Sequence, residues 1–193
     1  TDEEVLDYQF SENMQRVDVN PLEEAKGINA YIERGMTVAE IALRLSKSPS
    51  HIAGRLALNN LIEPLQDLFN NDSLPLSHAI YLSKNDSEAQ NLFVEHVKTS
   101  YGSKALGNLK ATKDFFATNI ETPLSKAVFP LDQADILPNI LACNNCPKNT
   151  TTNMVLFQEV TEPTCLQRSC FTAKTRTWNV TSVLSLPLEV ILF

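Results

Sequence analysis

Between Thr37 and Leu61 the chain reads TVAEIALRLSKSPSHIAGRLALNNL, and few architectures accommodate that order of residues. Thr37 is placed to cap a helix, and Glu40, three residues on, to return the bond as a capping box. Val38, Ile41, Ala42 and Leu45 follow at helical spacing and form one apolar stripe. Ser46-Lys47-Ser48 interrupts the stripe. Ser48 then suits an N-cap, and Pro49 the first helical position, where its missing N–H costs nothing. Ile52 and Leu56 carry the inner face of this second helix, which leaves Lys47, Ser50, His51 and Arg55 outside it. Two short helices joined by a tight turn, the second opening on small polar residues, is the pattern of a helix-turn-helix, whose second helix enters the major groove of DNA. A plain helical hairpin satisfies the same pattern. The turn lacks the glycine often found there, and Gly54 weakens the second helix by ~1 kcal/mol relative to alanine, so packing must hold it.

A DNA-binding reading has to survive a formal net charge of −7 over 193 residues. The charge is uneven. Residues 1–30 carry −6, residues 31–62 carry +2, residues 63–138 carry −4 and residues 139–193 carry +1. The positive part of the helical region is thus the candidate reading unit, as a polyanionic partner requires. Within it, Arg55 is expected to reach a guanine or a phosphate, Ser50 and His51 to lie where the helix enters the groove, and Lys47 and Ser48 to meet phosphate. Lys98, Lys104, Lys110 and Lys113 form a second cluster, either a backbone-phosphate contact or an ordinary solvated helix face.

The rest of the chain reads as further helices. Asn20-Pro21 opens one with Leu22, Ala25, Ile28 and Ile32 inside. Pro64 opens a short one, Ser77–Ser83 is another, and Asp86 caps a longer one through Val97. Lys104–Thr118 is a further amphipathic segment. Residues 2–17 look helical and acidic. Glycine is scarce, at five residues, and an apolar fraction of 43% suffices for a core. The expected fold class is therefore all-α: a helix-turn-helix-containing helical domain over residues 1–122, followed by a small zinc-ribbon-like, cysteine-bearing segment over residues 123–193. The texture changes there because Pro123, Pro130 and Pro138 arrive close together. No apolar run reaches the ~20 residues that a membrane span needs, and no basic-then-apolar leader is present. A cytoplasmic location without membrane contact is expected. The chain opens on Thr-Asp-Glu-Glu without Met and reads as a cut fragment.

Four segments then resemble, in order, the ParB family of chromosome and plasmid partition proteins. Glu12-Asn13-Met14-Gln15-Arg16 is similar to that family's E-N-x-x-R box, and Asn20-Pro21-Leu22-Glu23-Glu24-Ala25 to its N-P-x-E-E-A helix start. Lys47-Ser48-Pro49-Ser50-His51-Ile52-Ala53 resembles its K-S-x-S-x-[IV]-A reading helix, and Leu74-Pro75-Leu76-Ser77-His78-Ala79 the L-x-x-[GS]-H-A that follows. The match covers roughly residues 3–98, half the chain. It implies sequence-specific binding of double-stranded DNA at inverted-repeat, centromere-like sites in bacterial chromosome partition or plasmid segregation. It also implies a ParA-type ATPase as a partner and a homodimer. It further implies a CTP–magnesium site, in which Asn13 would contact the metal, Glu12 would support hydrolysis and Arg16 would meet phosphate. Oxygen ligands suit Mg²⁺ and a guanidinium suits phosphate, although Glu12 and Arg16 at i,i+4 also make an ordinary surface pair. The family's N-terminal nucleotide-binding domain is not among these residues, so DNA binding without competent hydrolysis is expected.

The four cysteines all lie late. Cys143, Cys146, Cys165 and Cys170 are spaced C-x2-C, eighteen residues, then C-x4-C. Two close pairs at that separation suit tetrahedral zinc, and a two-residue gap lets two thiolates converge from one turn. Structural zinc on all four is the expectation, with buried unligated thiols or a redox pair as the alternatives. Lys148, Arg168, Lys174 and Arg176 surround the cysteines and would offer a second DNA contact. Trp178–Phe193 is apolar and is open to three readings: a buried strand pair, a partner-binding edge, or a stretch that is not a natural terminus. The three histidines show no metal spacing, and neither a glycine-rich phosphate loop nor a nucleophile elbow occurs, so no catalytic residues are assigned. Two other functions fit the same residues: a helix-turn-helix transcriptional regulator, and a protein-interaction module without DNA affinity.

Overall fold

The structure, a computed structural model, describes residues 19–99, 108–154, 156–157 and 160–184. They form eight helices: α1 (Pro21–Glu33), α2 (Val38–Arg44), α3 (Pro49–Ala57), α4 (Glu63–Asn70), α5 (Leu76–Ser83), α6 (Ser87–Thr99), α7 (Leu109–Asn119) and α8 (Arg168–Leu184). The single sheet among the described residues pairs β1 (Thr122–Pro123) with β2 (Thr164–Cys165), antiparallel, with Thr122 opposite Cys165 and Pro123 opposite Thr164. None of these helices is long and apolar enough to cross a membrane. The chain divides into two compact units, residues 1–112 and 113–193. The division falls inside α7, ahead of the boundary at residue 122 expected from the prolines.

In the first unit the helix starts are set by local chemistry. The Asn20 side chain accepts the Leu22 N–H at 2.9 Å and Pro21 takes the first turn of α1. Thr37 and Glu40 close the capping box of α2. Ser48 accepts the His51 N–H at 3.1 Å to start α3, and Asp86 accepts the Ala89 N–H at 2.9 Å to start α6. Ile28 and Tyr31 of α1, Ile41 and Ala42 of α2, and Ile52 of α3 form one buried cluster, with Ile32, Val38, Leu45 and Leu56 against it. Burying isoleucines such as 28, 41 and 52 contributes about 1.5–3 kcal/mol each. Gln90, fully buried in α6, donates to the carbonyls of Asn60 and Asn85 and accepts the Ile62 N–H at 3.0 Å. Its amide thereby satisfies the irregular linker between α3 and α4, which would otherwise bury unpaired backbone groups.

In the second unit Leu124, Phe129, Ile136, Cys143, Cys165 and Phe171 form the core, with Trp178 packed on it. Arg168, at the start of α8, donates to the carbonyls of Ala117, Thr118 and Glu121. One guanidinium thus serves the end of α7, where carbonyls lack helical partners. The expected zinc-ribbon architecture is not what forms. A ribbon needs hairpins of several residues per strand, whereas the Pro- and Asn-rich run from Leu124 to Asn153 makes short 3₁₀ turns and the ladder is two residues long. Of the readings open for the apolar tail, the strand pair is not what Trp178–Leu184 forms: these residues continue α8 as helix. Residues 185–193 lie outside the described residues.

Candidate nucleic-acid interface

The turn between α2 and α3 is a helix-ending motif in which Ser46 takes the place usual for glycine. Lys47 N–H donates to the Ala42 carbonyl at 2.9 Å and Ser46 N–H to that of Leu43 at 3.2 Å, and Ser46 has φ of 54°. This is the Schellman arrangement, with a serine in the left-handed region. A hydroxymethyl side chain is small enough for that conformation, which explains how a turn without glycine still reverses the chain. It delivers Lys47, Ser48, Pro49 and Ser50, all exposed, at the N-terminus of α3. The unpaired N–H groups and the positive end of the helix dipole are found there. Leu43 of α2, 84% exposed, flanks the same turn.

Behind α3 stands an acid that sequence reasoning passed over. The Glu24 carboxylate, on α1, accepts from Arg55 Nε at 2.6 Å and lies 3.0 Å from His51 Nε2. A carboxylate can only accept, so Nε2 carries the proton in this contact. Glu24 therefore grips two residues one turn apart on α3. The Arg55 side chain is only 14% exposed and that of Glu24 11%, against 31% for His51. Arg55 does not stand out toward solvent as expected from the sequence; its guanidinium braces the helix from within. The signal was available: Glu24, Ile28 and Tyr31 fall at i, i+4 and i+7, so a carboxylate occupies the buried row of α1.

Of the residues expected to meet DNA, Lys47, Ser48 and Ser50 are brought together on one exposed surface, His51 is half-covered, and Arg55 is withdrawn. In the lysine cluster, Lys98 pairs with Glu95 at 2.9 Å on an exposed face and Lys110 is exposed, while Lys104 lies outside the described residues. The partial nucleotide site, Glu12, Asn13 and Arg16, also lies outside them. His78 is buried in α5, and burial lowers its pKa while the Asn108 backbone pulls the other way.

In the second unit Cys143, Cys146, Cys165 and Cys170 line a single cavity of about 10 Å³, together with Leu124, Phe171 and Lys174 among others. All four are free thiols. Burial pushes the Cys165 thiol up to about 11, and burial also raises that of Cys170 against the downward pull of the Lys174 ammonium. Among the described residues no group of three or more His, Cys, Asp or Glu side chains is placed to hold a metal ion. The expected second DNA contact loses two of its four cations. Lys174 is 1% exposed and Arg168 is spent on the carbonyls of α7.

Residues 17–106 match the family model described as the ParB HTH domain. The chain is similar to the probable chromosome-partitioning protein ParB of Rickettsia conorii, 32% identical over 133 residues, covering 60% of this chain and 46% of that protein. Against the protein of the same description from Rickettsia typhi it is 38% identical over 96 residues, 48% of this chain and 34% of the relative. Against the chromosome-partitioning protein Spo0J of Thermus thermophilus it is 37% identical over 79 residues, 41% and 29%. The chain spans less than half the length of each of these relatives. The matched residues enclose the capped turn, the helix it presents and the acid that braces it, so residues 17–106 are similar to the ParB HTH domain.

Proposed function

We propose that this chain binds double-stranded DNA at inverted repeats and acts in chromosome or plasmid partition. Its α3 would lie in the major groove, with Lys47 and Ser48 on phosphate and Ser50 and His51 facing base edges. The observation that carries the reading is the combination at α3: an exposed, cationic N-terminus in front, and the Glu24–His51–Arg55 clamp behind. A reading helix must be rigid to place side chains on base edges, and the clamp supplies that rigidity. The names of the relatives support the partition role. A homodimer would match the symmetry of an inverted repeat, and a ParA-type ATPase is the partner that the role calls for. The chain would work by binding, with no catalytic residue of its own assigned.

The test is a selection of duplexes from a random pool, followed by anisotropy titrations of the selected repeat against a scrambled duplex. Preference for the repeat and a steep fall of affinity with salt are expected. Lys47→Ala should weaken binding to all sequences and reduce the salt slope by ~1, whereas Ser50→Ala should relax discrimination at one position. Equal affinity for the selected and scrambled duplexes would overturn the proposal and leave the interaction-module reading. Genomic mapping separates the remaining pair: spreading from clustered sites belongs to partition, isolated promoter peaks to a transcriptional regulator.

A further inference from the structure

We propose that Cys143, Cys146, Cys165 and Cys170 bind one zinc ion as a tetrathiolate, and that Lys174 is the buried counter-cation of that centre. This inference is independent of the DNA-binding reading. The four sulphurs come from three local structures. Cys143 begins a 3₁₀ turn and Cys146 follows its end, Cys165 closes β2, and Cys170 lies in the first turn of α8. The Asn149–Cys165 bridge ties Cys165 to the segment that follows Cys146, and Asn149 donates to the Cys143 carbonyl at 3.0 Å. The result is one cavity of about 10 Å³ ringed by all four thiols, which has room for a guest of about one water molecule and not for a cluster.

Lys174 supplies the second observation. It sits four residues after Cys170 on α8 and is 1% exposed, and its Nζ donates to the Leu141 carbonyl at 2.7 Å and to Cys143 Sγ at 3.5 Å. Among the described residues no carboxylate pairs with it. An ammonium removed from water needs compensating negative charge nearby. Four thiolates around a dication carry a net charge of −2, and Lys174 is already donating to one of those sulphurs. Donors to ligand sulphur of this kind orient and stabilise thiolate sites. Thiolate softness and tetrahedral preference favour zinc. Among the described residues no three His, Cys, Asp or Glu side chains are grouped to hold a metal ion, so ligation requires the four sulphurs to move together, and each must release its proton to bind.

The experiment uses the full chain, purified without chelator. Metal analysis should return about one zinc per chain, and exchange into cobalt(II) should give the intense visible bands of a tetrahedral tetrathiolate. Cys146→Ser and Cys170→Ser, at the two half-buried positions, should each lose the metal or the cobalt spectrum's four-sulphur character. Lys174→Met keeps every ligand and should still bind, at least about tenfold more weakly in a competition with a chromophoric chelator. Well under half an equivalent of zinc together with no cobalt spectrum would overturn the site. So would an iron–sulphur absorption, or a thiol titration showing a disulfide in the metal-free chain. Zinc bound by Lys174→Met as tightly as by the unaltered chain would overturn the counter-cation role alone.

Discussion

Glu24 illustrates how one side chain can decide what a helix presents. Its two oxygens engage Arg55 at 2.6 Å and His51 at 3.0 Å, in a setting where both Glu24 and Arg55 are largely covered. Removing one partner leaves a charge without compensation, which is costlier than the pair itself is favourable. Glu24→Gln keeps the shape and removes the charge, so it should destabilise the first unit by about 2–3 kcal/mol. A urea titration checks this as a lower midpoint at unchanged slope. An unchanged midpoint would mean that α3 needs no brace. Glu24 also marks where sequence reading stops. The caps at Asn20, Thr37 and Ser48 join residues two or three apart, so they were legible from the order of residues. Glu24 reaches 27 and 31 residues along the chain, and nothing local reveals which cation it will meet. For that reason the order of residues alone points Arg55 outward, toward a guanine or a phosphate. Lys174 looks like a surface cation for the same reason, since its burial depends on Leu141 and Cys143 more than thirty residues earlier.

At the scale of the element, α2 and α3 are short and depend on their ends. The Glu40 carboxylate accepts the Thr37 N–H at 2.7 Å and the Thr37 hydroxyl at 2.8 Å, and these bonds, the backbone one first, hold its pKa below the ordinary 4.5. A carboxylate lowered in the folded state adds stability that is complete above the unfolded value. That stability is lost as pH falls through the lowered folded value. The expected outcome is that Glu40→Gln is less stable than the unaltered protein at neutral pH and that the gap closes at the bottom of the carboxylate range. Chemical denaturation across that range measures it, and a gap independent of pH would show the bond to be indifferent to charge. In α3, Gly54 is buried, and a Cβ built there meets Ile80 Cγ2 at 3.6 Å, an ordinary contact. Alanine therefore fits, removes the helix penalty of glycine and should stabilise by about 0.5–1 kcal/mol. A thermal melt showing loss instead would mean that the α3–α5 approach is tighter than these distances imply. The sequence suggested that packing holds this helix, and the buried Ile52, Ala53 and Ala57 on either side of Gly54 supply that packing.

At the scale of the whole molecule, the two units were built by different means, and the sequence exposed them unequally. The first is a helical core whose apolar spacing could be read directly. The second has few strand or helix signals before Arg168, so its order rests on convergences that spacing only hints at: four cysteines on one cavity, Asn149 against Cys143, and Arg168 on the end of α7. Trp178 is the chain's single tryptophan and packs on the core cluster of that unit, to which Cys143 and Cys165 belong. Its fluorescence therefore reports the second unit selectively. With zinc at a thousandfold excess over its dissociation constant, binding to the folded form alone would add about 4 kcal/mol, and for a unit of this size each kcal/mol moves the midpoint by roughly 4–8 °C. Chelation should then lower the Trp178-reported transition by on the order of 15–30 °C, and readdition of zinc should restore it. The helices of the first unit owe nothing to the thiols, so a helical signal that persists past the Trp178 transition is expected in the chelated protein. A Trp178 transition indifferent to chelator, in a chain whose thiols are all reduced, would show that Leu124, Phe129, Ile136 and Phe171 hold the second unit without a metal.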